Sequence, residues 1–146
     1  MDTKFTLTFE ESPTSDDLQI IRDGLTAYNL QFVPDAQYQP LNILLRAADG
    51  RVLGGLIGNT YWGWLYVSLF WLDESLRGDG NGAEILAMAE QEALRRGCRH
   101  AHLDTLDFQA PAFYEKQGYT QWGVLVDLPS GHKRYFYKKE LSELYD

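Results

Sequence analysis

The residues of this chain best suited to chemistry lie at positions 77–83, which read RGDGNGA and include three glycines within five residues. Glycine loses more backbone entropy on folding than any other residue, so this cluster indicates that another group must approach the backbone closely. A helical pattern follows directly, and the free N–H groups and positive dipole end of a helix N-terminus attract anions. The segment therefore predicts that an anionic group such as pyrophosphate binds at the start of this helix.

Three other interpretations of the glycine segment differ in how well they fit. A P-loop requires Lys and then Ser or Thr after the glycines, whereas Gly82 is followed by Ala83 and Glu84. The dinucleotide motif G-x-G-x-x-G/A matches Gly78, Gly80 and Ala83, but the residues DESLR separate the first glycine from the preceding strand. Too little chain remains for two nucleotide-binding halves. A tight turn that only caps the helix stays open as a structural alternative.

Two motifs at this spacing resemble the signatures of the GNAT superfamily of N-acetyltransferases. Residues 77–82 match the family's R/Q-x-x-G-x-G/A loop, and residues 113–119, FYEKQGY, resemble its second signature F-Y-x-K-x-G-F/Y. The resemblance covers most of the chain from about Val52 onward. It implies an α/β fold of the α+β type with a central mixed sheet flanked by helices. It also implies transfer of an acetyl group from acetyl-CoA to a primary amine, by direct attack in a ternary complex and without a metal.

The resemblance assigns acetyl-CoA to the glycine loop and to the end of the strand before it. The loop would bind the pyrophosphate, and backbone N–H groups of the strand would hold the thioester carbonyl, which is a reasonable source of rate. Asp79 is expected to point to solvent, because a carboxylate repels phosphate. Asp107 stands where the family often has an Asn that contacts the CoA arm. The residues assigned to acetyl-CoA are Phe70, Trp71, Leu72, Arg77, Gly78, Asp79, Gly80, Asn81, Gly82, Ala83 and Asp107.

The resemblance also places a general acid and leaves the base open. Tyr114 matches the family's acid, which protonates the CoA sulfur, and a phenol with a pKa of about 10 can donate at neutral pH. Packing in a core is the alternative role for Tyr114. His102 and Asp104 lie two apart on a predicted strand and share one face, so either is a candidate base or proton relay. A hydrogen-bonded structural pair is equally consistent with this spacing.

Four residues are candidates for the acceptor site. Tyr28 and Asn29 end the first predicted helix, in the region that usually shapes this pocket in the family, and Trp64 and Tyr66 alternate on one strand face. Core packing is the alternative for the aromatic residues. The net charge of −8 favours a cationic, amine-bearing small molecule or peptide as acceptor.

The elements that must position these residues follow from hydrophobic periodicity and turn residues. One domain over residues 1–146 is expected, with the order β-α-β-β-β-α-β-α-β-β. Ser15 is predicted to cap the first helix, and Gly97 and Gly118 to end the second and third. The predicted strands are residues 4–9, 41–47, 52–57, 64–72, 101–106, 121–126 and 133–139.

Composition sets the remaining expectations. The chain is 45% hydrophobic, acidic and without a basic block, which argues against nucleic-acid and anionic-membrane partners. A single cysteine, Cys98, excludes an internal disulfide, and no signal peptide or membrane-spanning run is visible. We therefore expect a cytoplasmic enzyme, for which a homodimer stays open. Another acyl-CoA donor, or a non-catalytic acyl-CoA-binding module of the same fold, is the alternative.

Overall fold

The computed structural model describes residues 4–141, which fall into two compact units that divide between Asp35 and Ala36. The first unit contains helix α1 (Ser15–Asn29). The hydroxyl of Thr14 accepts a backbone N–H three residues on at 3.1 Å, so Thr14 is the N-cap. The predicted cap is thus wrong by one residue, because Ser15 already has helical geometry.

The strand predicted at residues 4–9 is not formed. Phe5, Leu7 and Phe9 alternate as in a strand, but residues 4–10 have no regular structure. A strand needs a neighbour to pair its N–H and C=O groups, and the described part of the first unit contains no other strand. Alternation alone therefore does not establish a strand at this position.

The second unit contains a six-stranded mixed sheet in the order β1-β2-β3-β4-β6-β5. Strands β3 and β4 are parallel and are joined through a helix, while the other neighbours are antiparallel. This confirms the predicted mixed α+β fold. The elements are β1 (Gln39–Arg46), β2 (Val52–Tyr61), β3 (Trp64–Leu72), a 3-10 turn (Glu74–Leu76), α2 (Asn81–Arg95), β4 (His100–Leu106), α3 (Pro111–Lys116), β5 (Thr120–Val126) and β6 (Lys133–Glu140).

Strand β2 is four residues longer than the hydrophobic run predicted. Residues 58–60 read GNT and look like a break, yet they pair with β3. A Cβ atom at Gly58 would lie 2.3 Å from the carbonyl oxygen of Tyr66. Glycine is therefore present because the neighbouring backbone passes close by, and it does not end the strand.

Helix α2 packs its apolar side on β1, β2 and β3. The predicted apolar positions are buried, and Gly97 has the positive φ of a helix-ending glycine, +90°. The buried residues of α2 are Ile85, Leu86, Ala89, Glu90 and Ala93. Four of these five positions follow from the apolar pattern, and Glu90 does not.

Glu90 is a buried carboxylate that joins α2 to strand β6 of the sheet. Only 1% of its surface is exposed. Its Oε1 accepts from Lys139 Nζ on β6 at 2.9 Å, and its Oε2 accepts from the Tyr119 hydroxyl at 2.7 Å. A buried charge is tolerated only when it is paired and hydrogen-bonded, so this arrangement fixes α2 against β6.

Among residues 4–141, no cluster of three His, Cys, Asp or Glu side chains is arranged to hold a metal ion. Within the same residues, each helix is too short or too polar to cross a bilayer.

We expect Glu90→Leu to lower the free energy of unfolding by about 3 kcal/mol, since it leaves the Lys139 ammonium without its buried partner. The double variant Glu90→Leu/Lys139→Met should recover most of that loss, because an apolar pair often replaces a buried ion pair at little cost. Denaturant unfolding measures both values. Glu84→Gln, on the exposed side of the same helix, is the control. Additive losses in the double variant would contradict the coupling.

Candidate active site

The main feature of the second unit is the divergence of β3 from β4. The two strands pair only over residues 64–67 and 100–103, although β3 continues to Leu72 alongside β2. The β2–β3 pairing has a bulge that leaves Ser68 as an extra residue on β3, and a bulge bends its strand. Where the strands part, they border a cleft of about 810 Å³.

The end of β3 forms one wall of the cleft. Phe70, Trp71 and Leu72 line it, as assigned from the sequence. Over residues 68–72, the β3 edge that would face β4 has no strand partner. Backbone N–H groups on this edge therefore have no partner in a neighbouring strand, which is the arrangement that a thioester carbonyl requires.

The glycine loop forms the next part of the wall. Gly78 and Gly80 have φ values of +85° and +86°, a region that favours glycine. Gly80 is the N-cap of α2, so the N–H groups of the first helical turn have no partner within the helix. Gly78, Gly80, Gly82 and Ala83 all line the cleft, and the anion site predicted from the sequence therefore opens into it.

The loop's other side chains differ in position. Arg77 lines the cleft, and its Nε donates to the Leu72 carbonyl at 3.0 Å, which holds the guanidinium at the end of β3. Asn81 donates its side-chain amide to the Leu76 carbonyl at 3.0 Å and so shapes the loop. Asp79 is exposed and is not among the residues that line the cleft.

Tyr114 of α3 lies in the opposite wall and is 6% exposed. Its ring packs edge-on against Tyr119 at 5.9 Å and Phe70 at 6.5 Å. Burial, together with the negative charge of Asp104, raises the pKa of the Tyr114 phenol to about 12. The phenol therefore keeps its proton at any physiological pH.

Asp104 also lines the cleft, one residue beyond the last β3–β4 pair. Its Oδ1 lies 3.3 Å from Nη1 of Arg134 on β6. Tyr66 of β3 is close by: burial, and then the charge of Asp104 and a hydrogen bond to it, raise the pKa of the Tyr66 phenol. The Asp104 carboxylate thus lines the cleft at its apex, where β3 and β4 part, while the Tyr66 phenol and the Arg134 guanidinium lie beside it, outside the cleft lining.

His102 lies beside this apex, outside the cleft lining. Its Nε2 is 2.9 Å from the Tyr61 hydroxyl, and its ring stacks on Tyr66 with centroids 4.8 Å apart. Burial lowers the pKa of the imidazole, although Asp104 opposes this shift. Of the two candidate bases, Asp104 faces the cleft, and His102 is packed behind it as a neutral ring. Trp64 is also in this layer, where it stacks on His100 at 4.6 Å.

Asp107 is not among the residues that line the cleft, and its assignment to acetyl-CoA stays a prediction. Its Oδ1 is 2.9 Å from His132 Nδ1, and its Oδ2 accepts the Lys133 backbone N–H at 3.0 Å. Both oxygens thus bind residues at or directly before the start of β6, while Phe108 and Gln109, which follow Asp107, line the cleft. Asp107 therefore fixes the position of the cleft wall through these hydrogen bonds.

Two residues near the apex were missed from the sequence. Arg134 alternates with Phe136 and Lys138 on one face of β6, and this alternation was the available signal for its position. The alternation does not show that β4 is the strand next to β6. Tyr61 could not be placed opposite His102 without the sheet order. Tyr28 and Asn29 belong to the first unit, and their assignment to the acceptor site stays a prediction.

Comparisons with known proteins agree with this geometry. The family model described as "Acetyltransferase (GNAT) family" matches residues 8–119. The acetyltransferase Atu2258 of Agrobacterium fabrum is 47% identical over 111 residues, which is 76% of this chain and 81% of the relative. The blasticidin-S acetyltransferase of Streptomyces morookaense is 37% identical over 116 residues, or 77% and 85%. A crystal structure of an Agrobacterium tumefaciens protein superposes with a TM-score of 0.86 and 39% identity, over 93% and 99% of the two chains.

The raised pKa of Tyr114 can be measured directly. We expect the tyrosinate absorbance that Tyr114→Phe removes to appear at pH about 12, where an exposed tyrosine titrates at about 10. Because this shift raises the folded-state pKa, its contribution to stability is complete below pH 10 and is lost as the pH rises towards 12. If the tyrosinate absorbance that Tyr114→Phe removes appears near pH 10 instead, the phenol is in contact with water.

Proposed function

Because this chain belongs to the acetyltransferase (GNAT) family and is an acyltransferase, we propose that it transfers the acetyl group of acetyl-CoA to an amine of a small molecule. The observation that supports this best is the cleft itself. The N-terminus of α2, the unpaired edge of β3 and Tyr114 all border the same space. These are the three parts that acyl transfer from a CoA thioester needs: an anion site, carbonyl donors and a proton source.

The donor binds along the glycine loop and β3. The pyrophosphate accepts hydrogen bonds from the first turn of α2, where glycines leave the backbone accessible. Arg77 adds a positive charge at the same end of the cleft. The thioester carbonyl lies against the unpaired edge near Phe70 and Leu72, where backbone N–H groups stabilise the negative charge of the tetrahedral intermediate.

The chemical step then involves one proton acceptor and one proton donor. The acceptor's ammonium loses a proton to Asp104, directly or through water, and the free amine attacks the carbonyl carbon. A C–N bond forms, the C–S bond breaks, and the thiolate takes the proton of the Tyr114 hydroxyl. The extra proton on the new amide nitrogen then passes through water to the Tyr114 oxygen, which regenerates the phenol. Arg134 and Tyr66 hold Asp104 in place.

A cationic small molecule is the acceptor that the charges favour. Asp104 lies at the cleft apex, and the chain's net charge is −8. One relative takes its name from blasticidin S, which supports a small-molecule acceptor over a protein.

The Tyr114→Phe variant tests the proposed acid. It keeps the ring and its packing, so we expect a normal fold and a kcat lowered roughly 10²–10⁴-fold, with acetyl-CoA affinity little changed. CoA release with one amine acceptor measures this. Tyr137→Phe is the matched control, since it also removes a buried phenol, one that binds Glu115 instead of facing the cleft. Equal rates for wild type and Tyr114→Phe would remove Tyr114 from the mechanism.

Acetyl-CoA should stabilise the protein without added metal. At a hundredfold excess over Kd the gain is about 2.7 kcal/mol, which appears as a higher Tm. Arg77→Ala should weaken binding about tenfold by removing a charge-assisted contact, while the exposed Arg51→Ala should not. Calorimetric titration gives both values. A valine at Gly82 is a poorer test, because its Cβ would come within 3.3 Å of the Phe113 ring. Stabilisation by NAD in place of acetyl-CoA would contradict the proposal.

A further inference from the structure

Arg134 has bonding capacity that the protein leaves unused. It stands opposite Leu106 in the β4–β6 register, on the face that also carries Asp104. Its Nη1 makes one contact of 3.3 Å with Asp104 Oδ1, and its Nε is buried without a hydrogen-bond partner among the described residues. A buried donor without a partner is destabilising, so this orientation of the guanidinium needs a reason.

Neutralisation of Asp104 does not explain this geometry well. A guanidinium whose role is to pair with one carboxylate usually forms two parallel hydrogen bonds, whereas Arg134 makes a single long one. The pair is also partly open to solvent, with 35% of the Arg134 side chain and 24% of the Asp104 side chain exposed. Ion pairs in such positions contribute little to stability. The pair thus leaves N–H donors of Arg134 unused, and the exposed part of this side chain is accessible to a second anion.

We infer that the acceptor carries a carboxylate close to its reacting amine, and that Arg134 binds this carboxylate while Asp104 faces the ammonium. The inference rests on the proposed function and specifies its acceptor class. Asp104, which lines the cleft, and Arg134 beside it complement a zwitterion such as an amino acid, because each charge of the ligand meets its opposite. The planar guanidinium fork suits a carboxylate better than a lysine would.

Matched acceptor pairs test this inference. A panel of α-, β- and γ-amino acids is compared with the corresponding carboxamides, which keep the amine and lose only the negative charge. For wild type we expect at least one amino acid to have a kcat/KM about tenfold or more above its amide. Arg134→Gln should lower the acid-to-amide ratio of kcat/KM about tenfold, while any slowing that both acceptors share reports the effect of Arg134 on Asp104. Arg134→Lys should restore part of the preference.

Lys138→Met is the control. It removes one positive charge from the same face of β6, opposite His102 and away from Asp104 in the register, so the acid-to-amide ratio should not change. Thermal melts show whether each variant is folded.

The outcomes separate this inference from the proposed function. Equal turnover of acids and amides by wild type would keep the acetyltransferase proposal and overturn the acceptor class. If Arg134→Gln slows acids and amides equally, Arg134 acts only through Asp104, and the inference is again wrong. If no amine of the panel is acetylated although acetyl-CoA binds in calorimetry, the amine acceptor itself is wrong and the inference falls with it.

Discussion

The loss of backbone pairing between β3 and β4 after Val67 and Leu103 is the constraint on which the site depends. Residues 69–72 of β3 keep their pairing with β2, so the strand stays ordered while one of its edges loses its neighbouring strand. The bulge at Ser68 turns β3 away at this position. The same divergence separates the glycine loop, which follows β3, from α3, which follows β4. A ligand can therefore touch backbone donors on one side and Tyr114 on the other.

Rigid packing behind the cleft preserves this opening. Glu90 links α2 to Lys139 on β6 and to Tyr119, and the Tyr119 ring packs on Tyr114. A shift of α2 would thus disturb both the anion site at its N-terminus and the phenol across the cleft. Two buried hydrogen bonds to one carboxylate hold both walls in place, which suits a reaction that needs its groups fixed to within a fraction of an ångström.

The features that the sequence predicted correctly are those whose pattern lies in neighbouring residues. The glycine cluster, the proline that begins α3 and the apolar run of β3 are properties of neighbouring residues. The loop, α3 and β3 were therefore predicted with correct or nearly correct bounds. The missed features depend on pairing between distant segments. Arg134 meets Asp104 only because β6 lies beside β4, and Asp107 is occupied only because His132 returns to it. Residues 4–9 show the reverse case, since a local strand pattern without a partner forms no strand.

Asp104 connects the two proton transfers of the proposed reaction. Burial raises the pKa of Tyr114, and the negative charge of Asp104 raises it further because a second anion close by is unfavourable. A phenol held at a pKa of about 12 is a weak acid, which protects it from losing its proton before the acceptor arrives. Once Asp104 has taken the proton of the acceptor's ammonium, its charge is neutralised and that part of the pKa shift disappears. The phenol then becomes a stronger acid at the step in which the thiolate needs a proton, so one carboxylate can set the order of the two transfers.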